Sequence, residues 1–121
     1  MYNKYNKKIR KNLTKFVDDY VLVDIETTGL SPVSDEIIEI GAIKVVDNKI
    51  IDTYNELIRI NRKLSNFIVN LTGITDEMLK KGKMPEEVLK EFVDFTGNNV
   101  IIGHNVNFDL GFLSNKCKKY L

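Results

Sequence analysis

Asp24 and Glu26 are two carboxylates one residue apart in the run Val21-Leu22-Val23-Asp24-Ile25-Glu26-Thr27-Thr28-Gly29. In a strand the side chains at i and i+2 share a face, so the pair is expected side by side near one end of a buried strand. Desolvating two anions without partners is costly, so they must stay wet, find donors or hold cations. Neighbouring carboxylate oxygens suit a hard divalent ion such as Mg2+ or Mn2+. A D-x-E tripeptide by itself describes a wet strand face equally well, and only a distant third acid would change its meaning. Asp109 is that acid. It falls in the first turn of a helix expected to begin where a short buried strand ends, in His104-Asn105-Val106-Asn107-Phe108-Asp109, which is where α/β sheets assemble their sites. With that strand parallel to Val21–Glu26, three carboxylates would converge. Such a set could hold a divalent pair about 3.5–4 Å apart, one ion activating a water and the other stabilising the leaving oxygen of a phosphodiester. Plainer readings remain open: Asp109 as a helix-start acid favoured by the dipole, and His104 as a hydrogen-bonded residue at a strand end.

The elements that must position these residues are legible in the patterning. Tyr20 to Glu26 reads as a first strand, ended by the turn chemistry of Thr27-Thr28-Gly29. Ile37–Val46 and Ile50–Ile60 read as two more, with Asp47-Asn48-Lys49 making an antiparallel hairpin between them. From Leu64 the period changes. Leu64, Phe67, Ile68 and Leu71 fall at i, i+3, i+4 and i+7 and predict an apolar stripe on a short helix that stops at Thr72-Gly73. Thr75 can cap a further turn. Pro85 opens the clearest helix, with Glu86 and Glu87 at its positive end, Val88, Leu89, Phe92 and Phe95 inward and Gly97 at its end. Val100–Gly103 reads as a strand buried on both faces. Asn105 is placed to cap the last helix, whose packing stripe is Phe108, Phe112 and Leu113.

The composition confines these elements to one core. The 121 residues are 43% hydrophobic and 29% charged, with a net charge of +1, which suits one globular domain. No apolar run approaches the roughly 18 residues of a membrane helix and no apolar segment follows the basic N-terminus, so a cytoplasmic protein with no membrane partner is expected. The single cysteine, Cys117, is expected to be a buried or half-buried structural thiol. Charge is distributed unevenly. Lys4, Lys7, Lys8, Arg10, Lys11 and Lys15 stand in the first fifteen residues without an acid, and the remaining 106 residues carry a net −5. Residues 1–19 are therefore set apart as a basic arm, which would either contact nucleic-acid phosphates or lie solvated.

The order Asp24-Ile25-Glu26-Thr27-Thr28-Gly29-Leu30, Glu36-Ile37-Ile38-Glu39-Ile40-Gly41, Leu71-Thr72-Gly73-Ile74-Thr75 and His104-Asn105-x-x-Phe108-Asp109 resembles the DEDD superfamily of 3′–5′ exonucleases. It looks closest to the proofreading epsilon-subunit and ribonuclease T relatives, especially the exonuclease domain of bacterial DNA polymerase III chains. The resemblance runs from about Tyr20 to the C-terminus. It implies an α/β, ribonuclease H-like mixed sheet of three antiparallel strands followed by a parallel one, with flanking helices, over residues 20–121. It also implies two divalent cations, Mg2+ or Mn2+, with Asp24 bridging both, Glu26 on the ion that presents the water and Asp109 on the second. Thr27 and Thr28, with their backbone amides, and Gly29 would lie along the terminal nucleotide, and Leu30 near a base. Leu71 and Ile74 would meet the 3′-terminal base, while His104, Asn105 and Phe108 would shape the pocket floor. Apolar surface and backbone donors serve any 3′ nucleotide, because no sequence preference is required. For Leu71 and Phe108, core packing is the competing reading.

This sequence departs from the family at its C-terminal end. Such domains continue with a strand and a helix bearing H-x-x-x-x-D, or a tyrosine variant, whereas no His or Asp follows Asp109 here. A positioned base typically contributes about 10²–10⁴-fold, so the 121 residues alone are expected to be inactive or nearly so, awaiting a completing polypeptide or polymerase. The edge of strand 100–103 would then be open, inviting a homodimer. The expected activity is hydrolysis at single-stranded or frayed DNA 3′ ends, releasing nucleoside monophosphates in proofreading or repair, with RNA ends as the alternative. The rival reading is a catalytically incomplete nucleic-acid-binding or interaction module.

Overall fold

The computed structural model describes residues 18–121, so the basic arm lies outside the described residues apart from Asp18 and Asp19. Four strands, β1 (Tyr20–Thr27), β2 (Ile37–Val46), β3 (Lys49–Leu57) and β4 (Val100–Ile102), form one sheet in the order β3-β2-β1-β4. β2 pairs antiparallel with both β1 and β3, whereas β4 joins β1 in parallel, Tyr20 beside Val100 and Leu22 beside Ile102. The expected mixed sheet is thus present, with β1 in its interior. The β2–β3 connection is a tight hairpin because Asp47 and Asn48 both take positive φ, 50° and 62°, the geometry Asx residues tolerate in a two-residue turn.

The alternation of β1 puts Val21, Val23 and Ile25 into the main core. They meet Ile40 and Ala42 of β2, Val88, Leu89 and Phe92 of α3 (Pro85–Thr96), and Phe112 and Leu113 of α4 (Val106–Tyr120). The opposite face, with Leu22 and Asp24, is exposed. A smaller core gathers Ile38, Leu64, Ile68, Ile74 and Leu79 around α1 (Asn66–Thr72) and α2 (Asp76–Lys80).

Four expectations about elements need correction. β3 ends at Leu57 rather than Ile60, because the chain turns there to meet the segment before α3: Ile58 bridges Lys83, and the Arg59 N–H donates to Lys83 O at 2.8 Å. The stripe on α1 is not buried as a unit. Ser65 is its N-cap, accepting from the Ile68 N–H, so Leu64 lies outside the helix, and Phe67 and Leu71 are 71% and 68% exposed. β4 is an edge strand with Val100 exposed and its other two residues half-buried, not one buried on both faces. Asn105 occupies the N-cap of α4 without a side-chain capping bond; its carbonyl instead accepts from the Phe108 and Asp109 N–H groups.

Other signals hold. Gly73 ends α1 at φ 75°, Thr75 caps α2, and Pro85 opens α3 with Glu86 and Glu87 in its first turn. Cys117 is half-buried. No described helix is long and apolar enough to cross a membrane.

Candidate active site

Strand β1 delivers Asp24 and Glu26 to the face opposite its buried valines, so the pair is positioned by simple alternation. Asp24 is exposed and Glu26 half-buried. Burial pushes the Glu26 carboxyl above its ordinary range, and the charges of Asp24 and then Glu39 add to the shift. The expected buried strand is therefore buried on one face only, and its wet face carries the acids.

Asp109 arrives from the other side of the β4–α4 junction. It sits in the first turn of α4, only 6% exposed. Its pKa rises from an ordinary 3.8 to about 6, first through desolvation and then through the charges of Asp24 and Glu26. A helix N-terminus by itself would lower a carboxyl pKa. Here burial and two like charges win, so Asp109 feels both β1 acids across the β4–α4 junction.

A desolvated acid among like charges is the donor chemistry a hard divalent cation would stabilise. Even so, among the described residues no three His, Cys, Asp or Glu side chains are grouped closely enough to form a coordination shell. Asp109 senses the charges of Asp24 and Glu26, but the three are not closed into a clamp. Mutual repulsion and the solvent exposure of Asp24 are sufficient physical reasons for side chains at this junction to stand apart. The donor set fits the cation; a preformed ligand cage is not part of the fold.

The loop after β1 is held by its own polar groups. The Thr27 hydroxyl donates to Gly29 O at 2.6 Å and that of Thr28 to Asp35 Oδ1 at 3.2 Å, while the Thr28 N–H donates to Glu36 O at 2.9 Å. The Thr28 amide expected along a nucleotide is thus already engaged. A Cβ at Gly29 would lie 2.4 Å from Asp35 Oδ2, so a larger residue there would have to displace the Asp35 carboxylate. Leu30 projects from this loop, 84% exposed.

The remaining expected residues divide by burial. Leu71 is exposed on α1 beside Phe67, one turn earlier, so core packing does not account for it. Ile74 is 3% exposed within the smaller core, clustered with Leu64, Ile68 and Leu79. Phe108 packs on Phe112 with ring centroids 5.0 Å apart and belongs to the main core's margin. His104 and Asn105 are exposed at the β4–α4 junction.

One acid at this face carries no expected role. Glu39 stands directly opposite Glu26 in the β1–β2 ladder and accepts from Asn55 Nδ2 at 3.3 Å. Residues 28–36 form a loop too long to fix the register by turn geometry, so this pairing could not be counted from the sequence.

An exonuclease family model of the RNase T type matches residues 21–121, and the chain belongs to that family. The particular relatives are PolC-type DNA polymerase III chains. PolC-type DNA polymerase III of Caldanaerobacter subterraneus subsp. tengcongensis is 46% identical over 101 residues, covering 84% of this chain and 7% of the relative. The protein of the same name from Thermotoga petrophila is 49% identical over 102 residues, covering 84% and 8%. The Bacillus subtilis protein is 43% identical over 104 residues, covering 86% and 7%. The chain therefore spans less than a tenth of the length of these relatives. Among solved structures, apo exonuclease I superposes with a TM-score of 0.76 at 21% identity, covering 85% of this chain and 25% of that one. E. coli exonuclease I in complex with a dT13 oligonucleotide gives 0.76 at 20% identity, covering 86% and 24%. This likeness is one of fold, the ribonuclease H-like mixed sheet.

Proposed function

We propose that this domain is a metal-dependent 3′–5′ exonuclease module acting on DNA 3′ ends in a polymerase context, where it removes terminal nucleotides as nucleoside monophosphates. The observation that carries the reading is Asp109, 6% exposed at the start of α4, its carboxyl pushed up to about 6 first by burial and then by the charges of Asp24 and Glu26 on a different element. Membership of the exonuclease family and the PolC-type relatives support it, and the exonuclease I complex with a dT13 oligonucleotide is in keeping with a single-stranded DNA substrate.

On this reading Asp24, Glu26 and Asp109 would hold two divalent cations, Mg2+ or Mn2+. Bound there, the ions would lower the pKa of a coordinated water and neutralise charge on the leaving oxygen. The chain's own work is positional. β1 fixes two acids by alternation, α4 brings the third, and the self-bonded loop at Thr27–Glu36 holds Leu30 outward. Leu30 and Leu71 offer apolar surface to the terminal bases, while His104 and Asn105 lie exposed beside Asp109's turn.

Metal binding is the direct test, since Asp24, Glu26 and Asp109 do not themselves include a general base. Calorimetric titration with Mn2+ in the presence of thymidine 5′-monophosphate is expected to show binding that Asp24→Ala abolishes. Equal, weak binding by both chains would overturn the reading. Retained oligonucleotide binding in that case would mark the domain as a nucleic-acid-binding module without turnover.

A further inference from the structure

Lys116 is a lysine where a small domain rarely places one. It is 1% exposed, on the inward face of α4, and its ammonium has an ion pair with Glu36 Oε2 at 3.7 Å but no hydrogen-bond partner. A buried ammonium is tolerated only where an anion compensates it. Glu36 is that anion, and it gathers more of the same helix: Lys119 Nζ lies 3.0 Å from Oε1 and the Tyr120 hydroxyl donates to Oε2 at 3.1 Å. Arg62, after β3, approaches the same carboxylate at 4.0 Å. Burial raises the Glu36 carboxyl, but Lys119, Lys116 and the Tyr120 hydroxyl together hold it below its ordinary range.

The backbone of Glu36 is engaged as firmly as its side chain. Its N–H donates to the Thr28 hydroxyl at 2.9 Å and its carbonyl accepts from the Thr28 N–H at 2.9 Å. Thr28 lies two residues beyond Glu26. A short path therefore runs from the β1 acids through Thr28 and Glu36 into the C-terminal half of α4.

The other end of that helix carries Asp109. Asp109 and Lys116 are seven residues apart, two turns and about 10 Å along one face, with the buried Phe112 and Leu113 between them. The inward face of α4 thus meets repulsion from Asp24 and Glu26 at one end and attraction to Glu36 at the other. From this geometry we infer that Glu36 is a positioning residue: by anchoring Lys116, Lys119 and Tyr120 it holds α4 where Asp109 must face Asp24 and Glu26. The inference rests on the exonuclease reading only for its purpose; the clamp itself is a property of the fold.

Glu36→Gln tests it through amide hydrogen exchange in the metal-free chain and through Mn2+ titration with thymidine 5′-monophosphate. The expected result is a selective loss of protection along α4, residues 106–110 included, relative to the β1–β2 ladder, with Mn2+ binding weakened on the order of 3- to 30-fold. Uniform loss across helix and ladder would indicate mere destabilisation and overturn the inference, as would unchanged protection at 106–110 or, where the wild type binds Mn2+ through Asp24, unchanged Mn2+ affinity. If E36Q fails to fold because Lys116 is left uncompensated, the double variant E36Q/K116M removes both buried charges and carries the same test. Selective loss of protection in a domain whose wild-type form shows no Asp24-dependent Mn2+ binding would sustain the clamp and sink the exonuclease reading instead.

Discussion

Glu26 and Glu39 face each other across the antiparallel β1–β2 pair, two carboxylates on one face of the sheet beside Asp24. Directly opposed like charges destabilise a ladder by several tenths of a kcal/mol or more. Glu39→Gln keeps the acceptor for Asn55 and removes the repulsion. It is expected to stabilise the metal-free domain by about 0.2–1 kcal/mol at pH 7 in urea denaturation. An unchanged or lower midpoint would mean that solvent already screens the pair.

The elevated Asp109 carboxyl makes stability fall with rising pH. Its folded pKa is about 6 against an ordinary 3.8, so the folded state holds the proton more tightly and its contribution is fully present below about 4. That contribution is lost as pH rises through 6. Glu26, also raised, acts with the same sign. Asp109→Asn should flatten the profile between pH 4 and 6 and gain on the order of 1 kcal/mol at pH 7 after screening. Denaturant titrations of both metal-free chains from pH 3.5 to 7.5 would reveal it, and a wild-type profile parallel to the variant's over that interval would count against the burial of Asp109.

Gly29 and Asp35 are in contact where a side chain would have to be. Gly29→Ala puts a Cβ 2.4 Å from the Asp35 carboxylate, which already accepts from the Thr28 hydroxyl and the Ser31 N–H. Displacing it should cost about 1–3 kcal/mol and loosen the loop that carries Leu30. A variant melting within a degree of wild type would show that the loop relaxes without cost.

Leu71 and Ile74, three residues apart, should respond oppositely to truncation. Ile74→Ala empties part of the smaller core and is expected to cost about 2–5 kcal/mol. Leu71→Ala, on an exposed site, should stay within about 0.5 kcal/mol while weakening capture of a single-stranded oligonucleotide, measured by fluorescence anisotropy. Equal stability losses would contradict the burial that separates them.

What the amino-acid sequence determined by itself is what depends on neighbours along the chain. Strand alternation set Asp24 and Glu26 on one face. Asp47-Asn48 made the hairpin, Gly73, Thr75 and Pro85 marked helix ends, and the spaced motifs pointed to the exonuclease family that the match over residues 21–121 then established. Each of these rests on dihedral preferences or on hydrogen bonds spanning a few residues. Tertiary structure decided everything that required two distant segments to meet: which face of β1 is wet, that Glu39 opposes Glu26, that the Thr28 amide is occupied by Glu36 and that Lys116 is buried against the same residue. It also separated Leu71 from Ile74, because a helical stripe has a direction only once something packs against it. Register across a nine-residue loop and the burial of an ionisable side chain are long-range quantities, fixed by the sheet and helices together.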